Sequence, residues 1–432
     1  MKSIWQGNAV RPEFSTLKKD VKTDVLIVGG GIAGILCAYM LKMSGTNCVL
    51  VEADKICGGV TGYTTAKITA QHGLVYSKII KKYGVEYAKM YLKAQQEAIE
   101  FYARMCKKID CDYKQQDAYV YSVDNLYNIE SEATAYEKIG LKAQFCKNID
   151  IPVKINGALC LSNQAQFNPL EFCYALAEEL TIYENTKVIE IFRGGAITNK
   201  GKIFADKIII ATHFPFINKY GGFFYKMYQH RSYVLALENA TLPNDMYVDA
   251  DIKGLSFREY NGMLLLGGGS HRTGKKGGAW QELRTFAREN YKDSREVTHF
   301  ATQDCMTLDD ISYIGEYSPR LPNVYVATGF NKWGMTNAAA AAKILTDFIN
   351  GKENEYAKVF SPQRSILHRQ LVINMAETLI NLATPTVPRC PHLGCALKYN
   401  PHEHSWDCPC HGSRFTESGQ LIENPATDDK NM

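Results

Sequence analysis

Apolar residues recur along this chain with two spacings, and the switches between them mark out the elements. Residues 24–28 (DVLIV) are an unbroken apolar run, as expected of a strand covered on both faces. A glycine-rich stretch follows, then IAGILCAYMLKMSG with helical spacing, then a second apolar run, CVLVE. Residues 24–52 are therefore predicted to form a strand, turn, helix and strand. A long helical region is expected from about Tyr76 to Lys108. The middle of the chain carries strand patterns, DAYVYSV, KIIIAT, YVLALE and MLLLGG, separated by Gly, Asn and Asp, which predict a mixed sheet. Near Asn323, VYVATGF leads through a turn into TNAAAAAKILTDFI, predicting a buried strand and a helix that ends near Gly351. Residues 363–385 read as one more helix, broken by Pro385 and Pro388. The fold class is α/β (α+β).

A length of 432 residues suits two or three domains. Hydrophobic and charged fractions of 46% and 22% are those of an ordinary globular protein. The net charge of +4 comes from Lys and Arg scattered among acids, which does not imply nucleic-acid binding. There is no run of roughly 18 apolar residues, as a spanning helix needs, and the first residues lack a signal peptide's apolar core. A cytoplasmic location is expected. Of the 13 cysteines, four fall between Cys390 and Cys410. That clustering requires a chemical explanation.

The turn Gly29-Gly30-Gly31-Ile32-Ala33-Gly34 sits between a predicted strand and helix, as a dinucleotide fingerprint requires. Gly29 permits the tight turn, Gly31 lets backbone approach a pyrophosphate, and Gly34 lets the helix pack on the strand. The helix N-terminus then offers free amides and partial positive charge to phosphates. Glu52, ending the second strand, is placed to bind the adenosine ribose. FAD and NAD share this fingerprint. A further triplet, Gly267-Gly268-Gly269, is not followed by a helix at the right offset and is expected to end a hairpin, leaving no clear NADH site.

The fingerprint, the segment GGVTGYTTAKITAQHG (58–73), the ATHFPF segment and YIGEYSPRLPNVYVATGFNKWGMTNAAAAA together resemble the FAD-dependent glycine, sarcosine and D-amino acid oxidase superfamily. The resemblance covers nearly all of residues 20–350. It implies a Rossmann-like FAD-binding domain interleaved with a mixed-sheet substrate domain. It further implies that Gly59, Thr61, Thr64 and Thr65 lie along the flavin and that Val188 meets the adenine. The segment Gly329 to Thr336, with Gly334 and Met335, would approach the flavin N1 and C2 carbonyl edge. That edge becomes negative on reduction, so Lys332 is a candidate for tuning the flavin. Trp333, Arg231, Tyr233, His271 and Arg272 are candidates for a substrate pocket, with an arginine gripping a carboxylate.

Cys390-Pro391-His392 is followed, after 15 residues, by Cys408-Pro409-Cys410-His411. Two short loops that each give one Cys and one His supply the two thiolates and two imidazoles of a Rieske [2Fe-2S] centre. The order differs from a zinc finger, where both Cys precede both His. CPHLGC and CPCHGS resemble the two cluster-binding boxes of Rieske proteins, which makes Cys390, His392, Cys408 and His411 the metal ligands. The same resemblance implies a disulfide between Cys395 and Cys410; Trp406 is expected to pack beside the site, and Gly412 and Ser413 are candidates for hydrogen bonds to bridging sulfur. The strands that precede the first box in a full Rieske domain are missing, so this small C-terminal segment is expected to pack on the flavin domain.

The expected organisation is an FAD-dependent oxidoreductase over 1–360, a linker helix over 361–388 and a Rieske-type segment over 389–432. The FAD-binding parts are expected at about 20–75, 155–220 and 305–360. The expected activity is oxidation of an amine or amino-acid-like substrate at a CH-NH or CH-NH2 group, with electrons passing from flavin to the cluster and on to an external acceptor. A Rieske centre at roughly −150 to +300 mV can accept them from most reduced flavins. Two alternatives stay open: an oxygen-using oxidase with a structural Rieske remnant, and a redox-sensing or electron-transfer protein without its own small substrate.

Overall fold

The structure, a computed structural model, describes residues 2–7, 9–251, 254–385 and 388–430. Its first sheet grows from the predicted strand, turn, helix and strand. Val21–Val28 lies between two parallel neighbours, Gly201–Ile210 and Cys48–Val51, with Val28 opposite both Ile210 and Val51. Val25 to Val28 are all buried, which is why the run is apolar without alternation. Leu321–Thr328 joins beyond Gly201–Ile210, with Tyr313–Ser318 antiparallel at that edge. The fingerprint helix Ile32–Met43 packs on Gly334–Ile349. Ala338 to Ala342 are buried on every side of that second helix, as its uniformly apolar sequence requires.

The second sheet is the expected mixed one. Its long strands Met227–Glu238, Met263–Arg272 and Arg295–Thr307 are antiparallel, and Met246–Asp249 pairs in parallel with Lys114–Ser122. The Gly267 to Gly269 triplet lies inside Met263–Arg272, with Gly267 paired to Val234 on one side and Ser256 on the other, and is not the end of a hairpin. A Cβ at Gly268 would stand 2.8 Å from Leu255 Cδ2 and 3.1 Å from Leu283 Cδ2, so close packing of these leucines on the strand explains a glycine there. The long helical region divides into Val75–Tyr83 and Val85–Met105 at Gly84, whose φ of +88° ends the first helix.

The C-terminal segment forms a four-stranded antiparallel sheet, Lys398–Asn400, Ser405–Asp407, Arg414–Thr416 and Leu421–Glu423. The helix before it covers Arg369–Ala383, shorter at its start than the sequence pattern predicts. Among the described residues, no helix is long and apolar enough to cross a membrane.

Candidate functional site

One cavity of about 1080 Å³ is lined from both large sheets. It exceeds the roughly 300–1,000 Å³ of common small-molecule sites, which leaves room for a dinucleotide. Gly29, Gly31, Ile32 and Ala33 line it at the fingerprint turn. Gly34 does not, because its place is against the turn itself: a Cβ there would sit 1.9 Å from the Gly29 carbonyl oxygen. Glu52 lines the cavity, accepting the Gly30 amide at 2.7 Å and the Asp54 amide at 3.0 Å. Burial raises its carboxyl pKa, and these amides oppose the rise. Gly59, Thr61, Thr64 and Thr65 share the next wall, where Thr61 Oγ1 accepts the Ile32 amide at 3.0 Å. Val188 lines the cavity beside Glu52, its segment joined to the acidic turn by Thr186 N to Glu52 O at 2.9 Å. Glu184, fully buried, pairs with Arg11 and Lys55 and accepts the Ile56 amide there. No sequence motif announces it.

Gly329, Lys332, Trp333, Gly334 and Met335 line the other end. Thr336 is turned away, with its hydroxyl 2.9 Å from His72 Nε2. The helix starting at Gly334 has no side-chain cap, so its positive end faces the cavity. Asn331 fixes this loop by accepting the Thr307 amide and donating to the Gly329 carbonyl, both at 2.7 Å. Lys332 faces the cavity and donates to Ser270 Oγ at 2.7 Å. Burial lowers its pKa and Asp304 partly restores it. Lys67, which sequence reasoning passed over, also lines this end, with Nζ 3.2 Å from Ser256 Oγ. Burial, with Arg258 adding to it, pushes its ammonium down to about 7.

In the C-terminal segment Cys390 and Cys408 are buried and their thiols touch. The rings of His392 and His411 stand nearly perpendicular with centroids 5.0 Å apart. Both Nδ1 atoms are buried without a hydrogen-bond partner. Buried polar atoms are rarely left so, and two thiols beside two open imidazole nitrogens are the donor set a Rieske cluster needs. The His392 and Leu393 amides and the Ser413 hydroxyl point at the Cys390 sulfur, and the Cys410 and His411 amides at that of Cys408. Such bonds favour the reduced cluster. Cys395 and Cys410 form the expected disulfide. Gly412 differs from expectation, because its amide donates to the Cys408 carbonyl at 2.9 Å. Trp406 packs against the small apolar core that contains Cys390, Cys408 and Phe415.

Residues 24–348 match the family described as FAD dependent oxidoreductase, and residues 358–431 match the Rieske [2Fe-2S] domain. The chain belongs to the FAD dependent oxidoreductase family and carries a C-terminal Rieske domain. A Bacillus subtilis protein named as a Rieske 2Fe-2S iron-sulfur protein, YhfW, is 36% identical across 98% of this chain and 96% of its own length. L-proline dehydrogenase from P. horikoshii shares the fold at a TM-score of 0.68 and 17% identity, covering 80% of this chain and 98% of that one. Glycine oxidase from Geobacillus kaustophilus does so at 0.68 and 18%, covering 80% and 100%. The cofactors are FAD and a [2Fe-2S] cluster.

In this FAD dependent oxidoreductase the Rieske domain is docked on the second sheet, and two predicted pocket arginines belong to that contact. Arg231 does not line the cavity; it pairs with Glu403 and Glu423 of the Rieske domain. Arg272 donates to the Pro409 and Cys410 carbonyls at 2.9 and 3.0 Å and to Asn374, so its guanidinium is not free for a carboxylate. Tyr233 lines the cavity but its hydroxyl reaches His271 and Glu403, and His271 itself stands behind the wall. Gln229 Nε2 donates to the carbonyls of His411 and Asn424 at 2.8 and 2.9 Å. A Cβ on Gly412, whose φ is +90°, would meet Gln229 Cβ at 2.6 Å, so only glycine permits this approach. The last strand, Leu421–Glu423, and Asn424 after it become cavity wall, where Asn424 Nδ2 donates to Thr212 O at 2.8 Å and Phe214 O at 2.7 Å. Cavity and cluster loop therefore share a wall, a relation that sequence patterns do not encode.

Proposed function

We propose that this protein oxidises an amine or amino-acid-like donor and sends the electrons to its own Rieske cluster and on to an external acceptor. The observation that carries the reading is the bonded path from cavity wall to the second Cys-His loop, from the Thr212 carbonyl through Asn424 and Gln229 to the His411 carbonyl. The donor class is supported by the fold it shares with proteins named for proline dehydrogenation and glycine oxidation. Gly29, Gly31, Ile32, Ala33, Gly34, Glu52, Gly59, Thr61, Thr64, Thr65, Val188, Gly329, Gly334, Met335 and Thr336 are the residues assigned to hold or support FAD, and Cys390, His392, Cys408 and His411 to hold the cluster.

Bound there, FAD supplies acceptance of a two-electron equivalent from the donor and its conversion into single electrons for the cluster. The chain's own groups prepare the donor. Lys67 is neutral above about pH 7 and is placed to take the proton of the donor's ammonium group, since only a neutral amine is readily oxidised. Lys332 and the helix end at Gly334, which line the cavity, would offer positive charge to the anionic edge of a reduced flavin held there. The Rieske tail at 422–424 closes the wall and limits water.

The test is anaerobic mixing of the protein with glycine, N-alkyl glycines, proline and other amino acids while the visible spectrum is recorded. Bleaching of the flavin band by at least one of these, followed by cluster reduction, supports the reading. Flavin that no amine bleaches would refute the donor class. Rapid stoichiometric peroxide in air with an oxidised cluster would favour the oxidase alternative.

A further inference from the structure

The helix Arg369–Ala383 turns its polar face inward and its apolar face out. Asn374 and Asn381 are buried, and Asn374 is held by Arg272 at 2.9 Å. Val372, Met375, Leu379 and Ile380 are 67%, 46%, 65% and 63% exposed, and Leu367 just before them is 83% exposed. Positions 372, 375 and 379 fall on one helix ridge, so the exposed side chains form a strip. A surface helix ordinarily buries such a strip, and an exposed one marks a site of association.

Charge decides what fits it. Lys82 lies against His368 at the head of the strip, with Arg369 in the first turn. Lys275 and Lys276 are exposed on the adjoining loop, and Arg389 bonds the Leu382 carbonyl at the tail. The one acid on the helix, Glu377, is paired with Lys275 at 2.6 Å. Apolar side chains framed by cations complement acyl chains beneath anionic headgroups. A second copy of this chain would instead set one basic rim against another. The strip also adjoins the cluster: Arg389 bonds the Gly394 carbonyl as well, the Ala396 amide donates to Asn381 O, and Leu393, next to the ligand His392, is 38% exposed.

We propose that this helix lies in the headgroup layer of an anionic membrane and holds the protein there, with the first cluster loop at the lipid boundary. This docking does not depend on the identity of the electron donor.

Flotation of the intact holoprotein with vesicles tests it, comparing phosphatidylcholine alone with phosphatidylcholine containing phosphatidylglycerol. The protein is expected to float with the anionic vesicles and to do so less at high salt. Combining Val372→Ser, Leu379→Gln and Ile380→Gln should weaken binding at least about tenfold, with flavin and cluster spectra unchanged. Should that variant lose its cofactors, Arg369→Glu with Lys276→Glu tests the basic rim separately and should also weaken binding. Absence of flotation with anionic vesicles overturns the proposal, as does binding that neither set of substitutions changes. A wild-type dimer that the triple variant turns into monomer, without vesicle binding, would assign the strip to a second copy.

Discussion

The Arg231 Nε atom lies 3.0 Å from Glu403 Oε1, and this pair, almost wholly buried, fastens the Rieske domain to the second sheet. Arg414, Asp407 and Glu423 complete the network around it. Removing one member of a buried ion network strands the others without compensation. Glu403→Gln is therefore expected to cost about 3–5 kcal/mol of stability, read as a lower denaturant midpoint for release of the Rieske domain. A loss under about 1 kcal/mol, the range of surface pairs, would contradict the role.

The same carboxylate sets an acid limit. Burial alone would raise Glu403, but Arg231 and Arg414 outweigh it and hold the group at about 2, against 4.5 ordinarily. A carboxyl depressed on folding adds stability that is complete above its unfolded pKa of about 4.3 and is lost as pH falls through the folded value. The stability gap between wild type and Glu403→Gln should be constant near neutrality and narrow as pH falls from about 4.3 toward 2. A pH-independent gap would show that its charge is not what matters.

Lys67 gives a pH dependence of a different origin. With its ammonium at about 7, the neutral form takes over as pH rises through that value. Flavin reduction at limiting donor should rise to a plateau above about pH 7, and Lys67→Met should remove this limb and slow reduction by about 10²–10⁴-fold. A wild-type rate that is flat across neutrality would exclude Lys67 as the base.

Asn424 should govern cofactor retention. Asn424→Ala deletes two hydrogen bonds that hold the Rieske tail against the cavity. At about 0.5–1.5 kcal/mol each, the loss should weaken FAD binding by roughly tenfold, measured by titrating apoprotein with FAD. Unchanged affinity would mean that the tail does not brace the site.

Ser413 should tune the cluster. Its hydroxyl reaches the Cys390 sulfur and accepts the Ala426 amide at 2.9 Å. Ser413→Ala is expected to lower the midpoint potential by about 60 mV, the equivalent of one hydrogen bond for a one-electron couple, in an EPR-monitored redox titration. A potential that stays the same or rises would contradict this.

Local chemistry was legible in the sequence and long-range pairing was not. DVLIV and the glycine fingerprint specify their own strand and turn, and the two Cys-His loops each carry complete ligand pairs, so those elements could be read directly. Arg231 was misread because its partner Glu403 lies 172 residues away and belongs to another domain. Lys67 was missed because its low pKa arises from burial beside Arg258, on a distant strand. Periodicity identified the helix at 369–383 yet did not tell which face turns inward, since that depends on Arg272 and Lys275 waiting opposite Asn374 and Glu377.

The central claim is that electrons leave the flavin for the cluster within one chain, and it can be tested without knowing the donor. Anaerobic protein is illuminated in the presence of EDTA, which reduces the flavin photochemically, and samples are frozen in sequence for visible and EPR spectroscopy. The account predicts a Rieske-type EPR signal that grows while the flavin is held oxidised until the cluster has filled. A flavin that becomes fully reduced beside a cluster that stays oxidised would contradict it.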